Sequence, residues 1–303
     1  MKRVTTKRNR SHVLLVGNGP NRATGNKSWA ALLNDVARSV GGTPVTDDDY
    51  KTKPFPMLYE RLLLEARRNC RWSETRLKEE IAREAKAIET RDLHRAVMEL
   101  PFDEVMTTNY DQALEIGDRS LNQKPARPLL VREQRYSLFR HVLTADGRRL
   151  WYIHGDRREP TSILLGYDQY SGFLQQMRLY VTAGVQYKNA RAGPVFRNRK
   201  RTSDQHSWVS RFFDADIWIL GLGFDFVEIH LWWLLTYRAR QHAVTRSSTN
   251  TIRYIFRPGE ATAKLTLLEA FNVELVPIGG AATVWTTFYP KALRAIGNML
   301  RLQ

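Results

Sequence analysis

Cysteine is nearly missing. The 303-residue chain has one, Cys70, and a single thiol builds neither a disulfide framework nor a four-cysteine zinc ribbon. That usage fits a reducing compartment, so a cytoplasmic location is expected. Long apolar runs are scarce as well. The N-terminus is basic but has no hydrophobic signal core, and secretion is not expected. The most apolar window, Ile217 to Leu235, carries Gly221, Gly223, Asp225 and Glu228. It therefore reads as a buried strand, a turn and a helix rather than a membrane span. No internal repeat or low-complexity tract stands out.

Positive charge is abundant. Lys and Arg number 47 against 31 Asp and Glu, a formal net charge of +16. Such a balance attracts polyanions in general. The basic residues are spread out, and the two densest clusters, Lys2 to Arg10 and Arg197 to Arg201, read as a solvated tail and a loop. A nucleic-acid surface is the less favoured reading of both. The length suits one large domain spanning 1–303, with a basic tail at 1–11 and room for an inserted module.

Strand and helix patterns alternate along the chain. His12 to Val16 is a short apolar run that ends in Gly17-Asn18-Gly19-Pro20-Asn21-Arg22, read as a loop. Ser28 caps a helix from Trp29, and Gly41-Gly42 ends it. Residues 43–58, with three prolines and three consecutive aspartates, read as a loop. From 58 to 100 the spacing predicts three charged helices and no strand, a helical module inserted after the first β-α unit. Phe102 to Met106 is the next strand, with a helix or helical turn after Asp111. Leu129 to Val131, Leu150 to Ile153 and Ser162 to Leu165 read as short strands, followed by a helix carrying Phe173 and Met177. Residues 184–207 read as a basic loop. Strand Asp216 to Leu220, a helix from about Phe226 to Arg240, strand Ile252 to Phe256, helix Ala261 to Phe271, strand Val273 to Val276 and a helix from about Pro290 to Leu302 complete the chain. This alternation predicts an α/β, Rossmann-like, doubly wound parallel sheet.

Four polar loops follow strands: GNGPNR at 17–22, TTNYD at 107–111, HGD at 154–156 and GLGFD at 221–225. Open α/β sheets bind ligands at the carboxyl ends of their strands, where helix amino ends favour anions. Taken singly, each loop has a plainer reading. Thr108, Asn109 or Asp111 can simply cap a helix, a lone Gly-x-Gly can be a turn, and His154 can be a surface or capping residue.

In this order and at these distances the four loops resemble the sirtuin-like (SIR2-like) family of NAD-consuming proteins, and the likeness looks closest to its bacterial branch. The resemblance implies NAD+ as substrate, with Asn109 and His154 as the catalytic pair and Asp111 steadying their loop. It implies contacts to NAD+ from Gly17, Asn18, Gly19, Asn21, Arg22, Thr107, Thr108, Gly155, Gly221, Gly223, Phe224 and Asp225. Gly17, Asn18, Gly19 and Arg22 would face the diphosphate, and Gly221, Gly223 and Asp225 the adenosine. No metal is expected.

The deacylases of this family carry a zinc module held by four cysteines, which this chain lacks. Phe224 stands where a small hydroxyl residue is often found, and Pro20 and Asn21 replace an alanine-serine type. These departures fit the branch that cleaves NAD+ to nicotinamide and ADP-ribose, often in antiphage defence. Three other readings stay open: an NAD-dependent protein deacylase, a non-catalytic NAD or ADP-ribose sensor, and a basic nucleic-acid-associated subunit. Because unchecked NAD+ cleavage would kill its host, control by homo-oligomerisation, a partner protein or a small ligand is expected, through 58–100 or 184–207.

Overall fold

The computed structural model describes residues 10–118, 136, 138–144, 146–183, 185–187, 190–192, 207–245, 250–260, 262–280 and 283–302. Strand β1 (His12–Val16) is followed by six helices: α1 (Gly19–Ala23), α2 (Trp29–Ser39), α3 (Asp47–Thr52), α4 (Phe55–Cys70), α5 (Glu74–Ala85) and α6 (Asp92–Met98). Then come β2 (Glu104–Thr107), α7 (Ala113–Gly117), β3 (His141–Leu143), β4 (Arg149–Tyr152) and α8 (Tyr167–Thr182). A hairpin of β5 (Val185–Tyr187) and β6 (Ala190–Ala192) precedes α9 (Trp208–Asp214), β7 (Asp216–Leu220) and α10 (Ile229–Thr245). The last elements are β8 (Ile252–Phe256), α11 (Thr262–Ala270), β9 (Val273–Pro277) and α12 (Trp285–Arg301).

Seven strands form one sheet in the order β3-β4-β2-β1-β7-β8-β9. Every neighbouring pair is parallel except β3 with β4, so an antiparallel strand closes one edge. The chain builds outward from β1 to β2 and β4, then returns to β7 on β1's other side. That reversal is a topological switch point, where open sheets leave a crevice for ligands.

The β1 sequence shows why it takes the centre. Its alternate residues enter different cores: Val13 and Leu15 join one cluster with Trp208, Phe173 and Leu231, while Leu14 and Val16 join another with Phe288, Tyr289 and Val97. A strand covered on both faces must be apolar throughout. Each of these four side chains is fully buried, worth about 1.5–3 kcal/mol apiece as area removed from water. A third cluster joins α2, α4 and α5 through Leu33, Leu62, Leu77 and Ile81, and it takes in Tyr110, Ile163 and Leu165. The helices between β1 and β2 are thereby fastened to loops beyond the carboxyl ends of β2 and β4.

Five expectations need correction. Pro20 and Asn21 belong to the short helix α1 rather than a loop, because Pro is preorganised for a first helical turn. Within 43–58, α3 forms on a capping box in which Thr46 and Asp49 satisfy each other's backbone amides. Residues 162–165 are not a strand. A 3-10 turn covers Pro160–Ser162, and side chains take the carbonyls that a neighbouring strand would need: Lys78 Nζ donates to Ile163 O at 2.8 Å and Tyr110 Oη to Leu164 O at 2.5 Å. Helix α12 starts at Trp285 and contains Pro290, since its apolar face of Phe288, Tyr289, Leu293 and Ile296 packs on the sheet. The expected strand 129–131, residues 1–9 of the tail and most of 184–207 lie outside the described residues; of that last stretch β5, β6 and Ser207 are described, and β5 and β6 pair as an antiparallel hairpin where a plain loop was expected. Among the described residues no helix is long and apolar enough to cross a membrane.

Candidate functional site

The register of β2 and β4 pairs Thr107 with Tyr152, and Ile153 N donates to Thr107 O at 2.9 Å. Two residues further on, Asn109 and His154 leave adjacent strands side by side. Both are 3% exposed. Asn109 is held by its backbone amide, which donates to Thr107 Oγ1 at 3.1 Å, and by Nδ2, which donates to Gly17 O at 3.3 Å. Its Oδ1 is buried without a hydrogen-bond partner. A buried amide oxygen left unpaired costs on the order of 1–3 kcal/mol, and such groups in native proteins call for a functional account.

His154 stands in a cluster that sequence reasoning did not assemble. Its Nε2 is 2.9 Å from Nε2 of His230 and 3.3 Å from Oε2 of Glu228. Both partners come from the turn and first residues of α10, just past the 221–225 loop. Glu228 Oε2 makes no aligned hydrogen bond. Burial pushes His154 down to about 3 and His230 well below the usual imidazole range, the latter also through His154. It pushes Glu228 up to about 8, helped by Asp225. At neutral pH the cluster is therefore two neutral rings and a mostly protonated carboxyl. Gly155 behind His154 has φ +95°, and a Cβ there would lie 2.3 Å from Ser162 O, so only glycine permits this close path. Asp156 is bound by Arg158, whose Nε donates to Oδ2 at 2.7 Å, while Arg158 also reaches Glu115. It steadies the loop.

The two glycine loops meet each other. Gly17 N donates to Leu220 O at 3.0 Å and Gly19 N to Gly221 O at 2.9 Å. A Cβ on Gly19 would lie 1.8 Å from Tyr289 Oη and 2.8 Å from Gly221 Cα. These glycines thus permit backbone-to-backbone packing across the switch point, and their amides are engaged. Gly223 faces open space, while Arg22 and Asp225 are exposed. Phe224, at φ +52°, is 2% exposed and packs edge-on against Trp232 and Tyr254. The ring set out at the surface is its neighbour Phe226, 62% exposed and stacked on Trp232.

On the other side, Asn21 links three elements. Its Nδ2 donates to Asp111 Oδ2 at 2.8 Å and to Asn18 Oδ1 at 2.9 Å, and its Oδ1 is 2.7 Å from His94 Nε2. Because His94 Nδ1 accepts from Arg91 N at 2.9 Å, Nε2 carries the proton and donates to Asn21. Burial, partly offset by that backbone bond, lowers His94 to about 4. Burial also raises Asp111, whose Oδ1 accepts from Ala113 N at 2.9 Å. Asn18, Asn21 and Asp111, with Lys27, Trp29 and Leu32, line a narrow cleft. Tyr50 of α3 is within electrostatic reach of Asp225, Arg22 and Glu228, so this helix also borders the site.

His94, Glu228 and His230 are the residues that sequence reasoning missed. The signal for the last two was their spacing: a carboxylate and an imidazole two residues apart, directly after a glycine turn.

Fold and site together define an α/β protein with buried polar groups converging at the switch point of a mainly parallel sheet. The family model for the SIR2-like domain matches residues 103–275, more than half of the chain, and the chain belongs to that family. The matched stretch contains Asn109, His154 and the 221–225 loop, while β1 and its glycine loop precede it. Members of the family act on NAD+. A search of curated proteins returns no match.

Proposed function

We propose that this chain is an NAD+ glycohydrolase, cleaving NAD+ and water to nicotinamide, ADP-ribose and a proton. The observation that carries the reading is the pair at the ends of β2 and β4. Asn109 offers a buried, unpartnered Oδ1 beside His154, whose ring is neutral because burial holds its pKa down. The N-glycosidic bond of NAD+ joins ribose C1′ to a cationic pyridinium. When it breaks, the bonding electrons neutralise the pyridinium and leave an oxocarbenium-like ribose. Asn109 Oδ1 would accept from a ribose hydroxyl or from the attacking water. Water adds to C1′, and its proton passes to His154 Nε2 as general base. For that step His230 has to give up its contact with the same nitrogen.

Asp111 would act at one remove, holding Asn21 and the first turn of α7. Asn18, Arg22 and the open Gly223–Asp225 segment are proposed to meet the diphosphate and adenosine. Deacylation is disfavoured because one cysteine cannot build the four-cysteine zinc module. The biological setting we infer is NAD+ depletion in antiphage defence, restrained by oligomerisation, a partner or a ligand until triggered.

The test is mass spectrometry of NAD+ incubated with the purified chain, with and without an acetylated peptide, beside His154→Ala. Nicotinamide and ADP-ribose without peptide, reduced at least about 100-fold in the variant, is the expected result. Product only with peptide would make it a deacylase. Tight NAD+ binding with no turnover under any condition would make it a sensor.

A further inference from the structure

We propose that His154, Glu228 and His230 form a site for a divalent transition-metal ion, with Zn2+ the best fit, and that the bound ion holds the protein inactive. The three side chains already converge. The three ligand atoms, His154 Nε2, His230 Nε2 and Glu228 Oε2, all lie within 4.8 Å of one another. Their separations are 2.9, 3.3 and 3.9 Å. Tetrahedral zinc with bonds of about 2.0–2.2 Å to nitrogen and oxygen sets neighbouring ligands about 3.3–3.5 Å apart. Two imidazoles and one carboxylate are also the donor set that suits this ion, and they leave a fourth position for water.

The same atoms fit poorly without an ion. Two imidazole nitrogens face each other and must share one proton, while Glu228 Oε2 is buried beside them with no hydrogen bond. A cation between them gives all three atoms a partner. His230 Nδ1 would then carry the ring proton, and it has no acceptor in its surroundings. Zinc-bound histidines usually have one, so the ion is held as an exchangeable regulator rather than a permanent structural part.

The consequence rests on the glycohydrolase reading. That reaction needs the lone pair of His154 Nε2 for the proton of water, and this is the electron pair that the metal takes. Zn2+ and the reacting water therefore compete for one atom. Chelation, or a movement of α10 and the turn before it that draws Glu228 and His230 away from His154, would release it.

Cobalt is the probe, because Co2+ in a nitrogen- and oxygen-ligated site absorbs visible light and is displaced by Zn2+. The full chain, freed of metal, should take up one Co2+ with that spectrum. Uptake should weaken at least about 10-fold in His230→Ala and in Glu228→Gln. Circular dichroism confirms that each variant is folded, and Glu228→Gln keeps the side-chain shape. No uptake by the wild type, uptake unchanged in both variants, or a spectrum showing thiolate ligation through Cys70 each overturns the site. A second arm follows NAD+ cleavage with chelator and with added Zn2+. Inhibition that is relieved in the folded His230→Ala chain supports the regulatory role, and cleavage indifferent to Zn2+ overturns it. A cobalt site that depends on both residues, in a chain that never cleaves NAD+, would retain the site and reject the glycohydrolase.

Discussion

Strand β2 has two very different ends. At its start, Glu104 is 5% exposed and fully engaged. It accepts from Trp151 Nε1 at 2.8 Å, Arg149 Nη1 at 3.1 Å, and Arg211 Nη2 and Nε at 2.7 and 3.2 Å. Two residues past its other end, Asn109 is equally buried, yet Oδ1 has nothing to bind, and nearby Glu228 Oε2 is in the same condition. One end spends its polar groups on the fold, while the other keeps them unspent. Unsatisfied buried polar atoms cost stability, and a few stand elsewhere in the fold, His12 Nδ1 and Trp218 Nε1 among them; what marks the reactive end is that Asn109, Glu228 and His230 each bring one to the surroundings of His154.

The largest effect that would expose this difference is at the satisfied end. Glu104→Ala strands the Arg211 guanidinium and the Trp151 N–H, and should cost about 3–5 kcal/mol in urea unfolding. NAD+ turnover per folded molecule should be unchanged. At the other end the pattern inverts. Asn109→Ala should lower nicotinamide release at least about 100-fold, with unfolding free energy altered by less than about 1 kcal/mol. If Asn109→Ala proves the more destabilising of the two, the division between the ends is wrong.

A smaller effect sharpens the reading of the glycine loops. Gly19→Ala brings a methyl against Tyr289 Oη and the Gly221 backbone, and should cost about 1–3 kcal/mol. Adding Tyr289→Phe should recover part of that cost in thermal denaturation, because it removes one of the two clashes. A loop kept open for phosphate would show neither loss nor rescue.

The gentlest test is pH. His94 and His154 titrate near 6.5 when unfolded but are held down to about 4 and about 3 in the fold by burial. Below pH 6.5 the unfolded chain takes up protons that the folded one refuses, so stability falls as pH falls. Glu228 runs the opposite way. Its pKa rises from 4.5 to about 8, so the folded chain holds a proton that the unfolded one releases, and stability falls as pH rises from 4.5 to 8. Each group contributes at most about 1.4 kcal/mol per pH unit, so the two histidines together give up to about 2.8 and Glu228 up to about 1.4. Glu228→Gln should flatten the second slope, leaving what Asp111 and Glu60, also raised by burial, contribute to it, and should leave the first, measured by urea unfolding across that range in chelator.

The sheet was largely legible because its signal is local. β1, β2, β4 and β7 are apolar runs closed by glycine or polar residues, and full burial demands that pattern. The antiparallel edge strand β3 was not legible, since three residues, His141–Leu143, carry too little periodicity. Ile163 to Leu165 misled for the converse reason: a buried apolar run looks like a strand even when side chains such as Lys78 and Tyr110 satisfy its backbone. Asn109 and His154 could be read from loops at strand ends. Glu228 and His230 left only their spacing as a signal and His94 none, because their meaning lies in which strand ends adjoin. His230 becomes informative only when β7 is placed beside β1 and the start of α10 is brought over β4.

The packing of Gly17 and Gly19 onto Gly221 has a consequence for how this protein can be altered, by selection or by design. The two loops meet backbone to backbone, with Pro20 and the Tyr289 hydroxyl closing on the same seam, so neither can be lengthened, stiffened or exchanged alone. Sequence change at the switch point must come in matched pairs drawn from stretches some two hundred residues apart. Chimaeras that join the first half of one such chain to the second half of another should fail at this seam before they fail anywhere else.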